Sequence, residues 1–83
     1  MSLFNGKWFS NIFVQEGLTG TVNGVNDTFT VSNNPIFTSA IMIFINGVYL
    51  TPTVHYSVSG NTITFVTPPA AGQVPRAVYI RSL

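Results

Sequence analysis

The chain has no cysteine and very little charge. Without cysteine there is no disulfide and no thiolate metal site. His55 is the single histidine, and Glu16 and Asp27 are the only acids. A structural zinc ion takes about four ligands, so neither a metal nor another cofactor is expected. Lys7, Arg76 and Arg81 complete the charged set, which is 6% of the residues and leaves a net charge of +1. Ordinary globular chains carry about 25%. Such a balance offers no basic field to a phosphate backbone, so nucleic acid is not an expected partner.

Long hydrophobic runs are absent too. A membrane helix needs about 20 consecutive apolar residues, whereas the longest run here, Ala40 to Ile45, has six. No membrane association is expected. Met1 to Phe13 is interrupted by Asn5, Gly6, Lys7, Ser10 and Asn11, unlike a secretory leader. Synthesis in a cytoplasm is the expectation.

The groups that carry catalysis are equally scarce. Proton transfer and nucleophilic attack need partners within hydrogen-bond reach, and His55 has no acidic neighbour in sequence. Its alternation with Tyr56 turns it outward, as a surface or interface histidine. Asp27, between Asn26 and Thr28, suits a side chain that bonds turn backbone. Gly17, Gly20 and Gly24 lack the Lys-Ser/Thr pair and following helix of a phosphate loop and read as turn glycines. An enzyme is not expected.

What the sequence does have is apolar and aromatic bulk in a short chain: 83 residues, 46% hydrophobic and 13% aromatic. Domains of this size usually need a staple or a partner subunit. With disulfide and metal excluded, a partner is the expected source of extra stability. Low charge with many aromatics is also the composition of an interface core.

The chain divides into an aromatic lead, residues 1–15, and a β body, residues 16–83. In the lead, Phe4, Trp8, Phe9, Ile12 and Phe13 are spaced as one helical stripe, but Asn5, Gly6 and Asn11 are poor helix formers. A short helix and an extended docking arm both fit. Leu3, Phe4, Trp8, Phe9, Ile12 and Phe13 are too apolar to leave uncovered. They are candidate interface residues, either docking on a neighbour or folding back to complete the chain's own sheet.

The body reads as short strands. Gly17 to Asn23 is a candidate first strand. Asp27 to Ser32 alternates, with Phe29 and Val31 on one face, until Asn33-Asn34-Pro35 breaks the run. Ile41 to Ile45 is continuously apolar, the pattern of a strand covered on both faces. Asn46-Gly47 is a strong hairpin signal that returns the chain through Val48, Tyr49 and Leu50. Val54, Tyr56 and Val58 share a face, Ser59-Gly60-Asn61 turns, and Ile63 and Phe65 share a face of the next strand. Pro68 to Gly72 is a loop. Arg76 to Arg81 closes the chain, with Ala77, Tyr79 and Arg81 opposite Val78 and Ile80. Such strands, with turns every 8–12 residues or so, predict an all-β fold, a small antiparallel sandwich or barrel. Tyr49, Tyr56 and Tyr79 are candidates for stacking on sugars of host glycans, and equally for core or interface anchors.

Four stretches together resemble a small β-sandwich module of tailed-bacteriophage structural proteins, found in tail fibres, necks and capsid-attached proteins. They are Asn23-Gly24-Val25-Asn26-Asp27-Thr28-Phe29-Thr30-Val31, Ile43-Phe44-Ile45-Asn46-Gly47-Val48-Tyr49-Leu50, Tyr56-Ser57-Val58-Ser59-Gly60-Asn61-Thr62-Ile63-Thr64-Phe65 and Pro68-Pro69-Ala70-Ala71-Gly72. The resemblance covers residues 19 to 80 and implies assembly without catalysis. Its expected partners are copies of the chain itself, as a homo-oligomer, and other virion proteins. A chain this short suits capsid decoration or attachment of tail or fibre parts, located in the virion. A carbohydrate-binding module for host-surface glycans is the alternative.

Overall fold

The computed structural model describes residues 12–82. They form seven β-strands and one 3-10 turn, Thr38–Ala40. The strands are β1 (Phe13–Gly17), β2 (Thr28–Thr30), β3 (Ile41–Ile45), β4 (Val48–Tyr49), β5 (Tyr56–Ser59), β6 (Thr62–Phe65) and β7 (Pro75–Ile80). They make a large sheet in the order β1-β7-β3-β4 and a small sheet in the order β2-β6-β5. Every named strand pair is antiparallel. The arrangement is a sandwich, and the barrel alternative falls because the sheets do not close.

Local chemistry sets the hairpins. Asn46 and Gly47 have φ of 52° and 83°, the left-handed pair a tight two-residue turn between β3 and β4 demands. Gly60, at φ 60°, opens the turn that pairs Ser59 with Thr62. Asn23 Oδ1 accepts from the Val25 and Asn26 N–H groups, and the Asn26 amide donates to the Thr21 and Thr28 carbonyls. Asparagines therefore hold the turn assigned from sequence to Asp27, whose Oδ1 accepts from the Thr28 hydroxyl instead.

The first strand lies earlier than its expected position at Gly17 to Asn23. Phe13–Gly17 runs beside β7, with Val14 opposite Tyr79 and Glu16 opposite Ala77. Strand β1 therefore straddles the 15/16 boundary drawn from the sequence. After it the chain crosses to the small sheet, where Thr19 bridges Thr30. At the other end of β7, Pro35 bridges Arg81, and the Ile36 N–H donates to the Ile80 carbonyl at 2.7 Å.

The core is the set of inward residues from both sheets: Phe29, Val31, Tyr56, Ile63 and Phe65 from the small sheet's side, and Ile41, Ile43, Ala77 and Tyr79 from the large. Phe29 and Phe65 meet edge to face with ring centroids 5.5 Å apart. The alternation expected in β6 and β7 is the alternation observed. Strand β3 differs: Ile41 and Ile43 are buried, but Met42 is exposed and Phe44 only half-buried. Its continuous apolar run therefore has one face on the core and one on the outside of the large sheet.

Candidate functional site

The described surface carries two apolar areas, and the strand registers place both. Residues paired across antiparallel strands point to the same face. On the large sheet one outward row is Phe13, Ile80 and Ile36, and the next is Gln15, Val78 and Met42. A third row is Gly17, Arg76, Phe44 and Tyr49. Phe44 and Tyr49 touch edge to face, with centroids 5.7 Å apart. The small sheet contrasts sharply. Its outward residues are Thr28, Thr64 and Ser57, then Thr30, Thr62 and Ser59, a face written for water.

The second area lies at the end of the sandwich where β3 turns into β4 and β7 begins. A cleft of about 440 Å³ opens there. Ile45, Leu50, Phe65 and Pro68 line it together with Val48, Val54 and Val66, and Asn46, His55 and Gln73 supply polar groups. Val48, Val54 and Val66, with Val74 close by in sequence to Gln73, are 53% to 68% exposed. The polar groups are tied to local backbone. His55 Nδ1 accepts from the Thr51 N–H at 2.9 Å, Asn46 Oδ1 from Val74 N–H at 2.8 Å, and Gln73 Oε1 from Ala70 N–H at 2.7 Å. Their bonds fix the loops that shape the cleft. Thr53, in the loop beside it, has φ of 65°, a strained setting for a β-branched residue.

The three candidate tyrosines separate. Tyr56 and Tyr79 are 2% and 1% exposed, while Tyr49 is 50% exposed. Neither buried ring offers a face to a sugar; each acts as a strut between sheets. Tyr56 Oη donates across the core to the Ile41 carbonyl at 3.4 Å. Tyr79 Oη donates to Glu16 Oε2 at 2.6 Å and accepts from the Asn33 N–H at 3.2 Å. Glu16 also takes the Ser32 hydroxyl at 2.6 Å and the Ser32 N–H at 3.0 Å. Burial pushes the Glu16 carboxyl upward, but the hydrogen bonds from Ser32 and Tyr79 outweigh it and leave the group below its ordinary value. The Tyr79 phenol is raised by burial and by its bond to Glu16.

Of the interface candidates in the lead, Leu3, Phe4, Trp8 and Phe9 lie outside the described residues. Ile12 is half-buried, and Phe13 opens β1 with its side chain on the outward face. The helix-or-arm alternative for the lead falls mostly outside the described residues as well.

The valine surface was not singled out from sequence, although Val66 alternates with Phe65 and so had to face outward. Among the described residues no three histidine, aspartate or glutamate side chains converge, and no helix is long and apolar enough to cross a membrane. No family model, curated protein or solved structure matches the chain.

Proposed function

We propose that the protein is a non-enzymatic structural component of a tailed-bacteriophage virion. It self-associates and serves as capsid decoration or as an attachment piece for tail or fibre parts. The observation that carries this reading is the valine-lined cleft at one end of a sandwich with very few charges. Exposed apolar groups clustered on that scale mark a surface that other proteins cover. Both the short, hairpin-built sandwich and the sequence pattern that resembles phage modules support the virion setting.

Quantitative mass spectrometry of purified particles tests it. Copy numbers comparable to the major capsid protein mean decoration, and a small fraction of that means tail, neck or fibre. Absence from particles overturns the reading.

Glycan recognition is the second reading, and it now rests on Tyr49 alone. Binding on a glycan array that Tyr49→Ala abolishes supports it; no binding, or binding indifferent to that change, ends it.

A further inference from the structure

We propose that the free edge of β1 pairs with the same strand of a second copy, antiparallel across a two-fold axis at Gln15, so that two large sheets run on into one. The inference rests on the reading that the chain self-associates, and it names a contact within that assembly beyond the cleft.

An edge strand presents unpaired N–H and C=O groups, a template for another strand. In an antiparallel ladder only alternate residues spend those groups on one neighbour. The Leu18 N–H donates to the Pro75 carbonyl and the Arg81 N–H to the Ile12 carbonyl, so the even-numbered residues of β1 are the ones bonded to β7. The peptide groups of Gln15 and Gly17 therefore point away from β7, and both residues are exposed. Among the described residues those groups meet no hydrogen-bond partner.

The other sheet edges, β4, β2 and β5, are closed or short. On β2 the Thr30 N–H and carbonyl both bond Thr19, at 3.0 and 2.9 Å, and the Asn26 side chain serves both groups of Thr28. On β5 the Tyr56 carbonyl takes the Thr53 N–H at 2.8 Å, beside the bridge to Pro52. Strand β4 is two residues long. Strand β1 has five, with no proline or lysine to guard it. An inward charge can also guard an edge, but Glu16 already bonds Tyr79 and Ser32 and brings no unmet demand to a new neighbour.

The symmetry of the edge selects the occupant. About an axis at Gln15, each copy's Gln15 N–H meets the other's Gln15 carbonyl, so one residue supplies both sides of the contact. Val14 then faces Glu16 of the second copy, and like charges are not opposed. On the outward face the row Met42, Val78, Gln15 continues into Gln15, Val78 and Met42 of the second copy. The two carboxamides at its centre can each donate and accept. Two main-chain hydrogen bonds tighten an association about tenfold. That is enough to set how copies gathered by the cleft stand to one another, and too little to gather them.

Gln15→Cys introduces the only thiol of the full chain. A hydrogen-bonded antiparallel pair sets its Cα atoms ~5.5 Å apart, within the span that a disulfide bridges. Under mild oxidation this variant is expected to cross-link about tenfold faster, or more, than Thr64→Cys, an exposed position on the outward face of the small sheet. Gln15→Pro removes only an outward N–H and leaves the ladder to β7 whole. It should weaken association in sedimentation about tenfold, whereas Gln15→Ala, which keeps the N–H, should change it far less. If circular dichroism shows that Gln15→Pro does not fold, the cross-linking comparison decides alone. Equal cross-linking at residues 15 and 64, or association indifferent to a folded Gln15→Pro, overturns the inference and leaves association through the cleft standing. A full chain that sediments as a monomer at every concentration overturns self-association itself, and this inference with it.

Discussion

Tyr79 and Glu16 lie 63 positions apart in the chain and share a hydrogen bond of 2.6 Å. Through Ser32, the same carboxylate ties β1 and β7 to the loop that leaves β2. One of the chain's two acids is thereby committed to joining the sheets.

Tyr79→Phe and Glu16→Gln should each destabilise the fold by about 1.5–3 kcal/mol, the worth of a hydrogen bond to a charged group. Because the two residues share the interaction, the double variant should lose less than the sum. Urea unfolding of the four proteins checks both statements.

The same pair sets a pH window. The folded Glu16 value is depressed, so its contribution is complete above the unfolded value of about 4.3 and is lost as pH falls through the lower folded one. Tyr79 and Tyr56 are raised, by burial first and then by Glu16 and Tyr49 respectively. Their contribution is complete below the unfolded value of about 10 and is lost as pH rises through the folded ones. Melting temperature should therefore hold level between these limits and fall outside them. Glu16→Gln should flatten the acid limb.

Gly20→Ala should cost about 1–3 kcal/mol, as overpacking does. Gly20 has φ of 155°, and a Cβ there would lie 2.4 Å from Cδ2 of the Phe29 ring. A stability equal to the parent's would mean that the Gly20 loop shifts freely off the core.

Thr53→Gly should act in the opposite direction. The left-handed backbone at Thr53, φ 65°, costs an ordinary residue about 1–2 kcal/mol, of which glycine's greater unfolded-state freedom returns part. A net gain of up to about 1 kcal/mol in urea unfolding is expected.

On the proposal that the chain self-associates through the valine-lined cleft, Val48→Asp with Val66→Asp is expected to leave a folded protein that sediments as a monomer, because both side chains are exposed and outside the core; an unchanged sedimentation pattern counts against that proposal. Ile63→Ala is the contrasting variant. Fully buried in the central strand of the small sheet, it should lose about 2–5 kcal/mol.

The hairpins were legible because their information is local. Asn46-Gly47 and Gly60-Asn61 specify their turns within two residues, and the alternation in Thr62–Phe65 and Pro75–Ile80 fixes which side chains enter the core. The first strand was not legible for a physical reason. Its inward residues are Val14 and Glu16, and a carboxylate facing the core reads as a break in pattern unless Tyr79 and Ser32 are known to meet it. The tyrosines were ambiguous on the same ground, since only the register separates Tyr49 outside from Tyr56 and Tyr79 within. Met42 and Phe44 read as covered residues, and the described fold leaves that side of β3 open.

The pairing of Ile12 with Arg81 gives the sandwich a direction under load. Residues 12 and 82, the limits of the described chain, lie at one pole, and the valine-lined cleft sits at the other, where β7 begins. Tension between the two ends would open β1 from β7 like a zipper, breaking bonds a pair at a time. Tension from the ends to whatever grips the far pole runs along the strands and must shear many bonds at once. The module is therefore soft against pulling on its termini together and stiff as a link between its base and its tip.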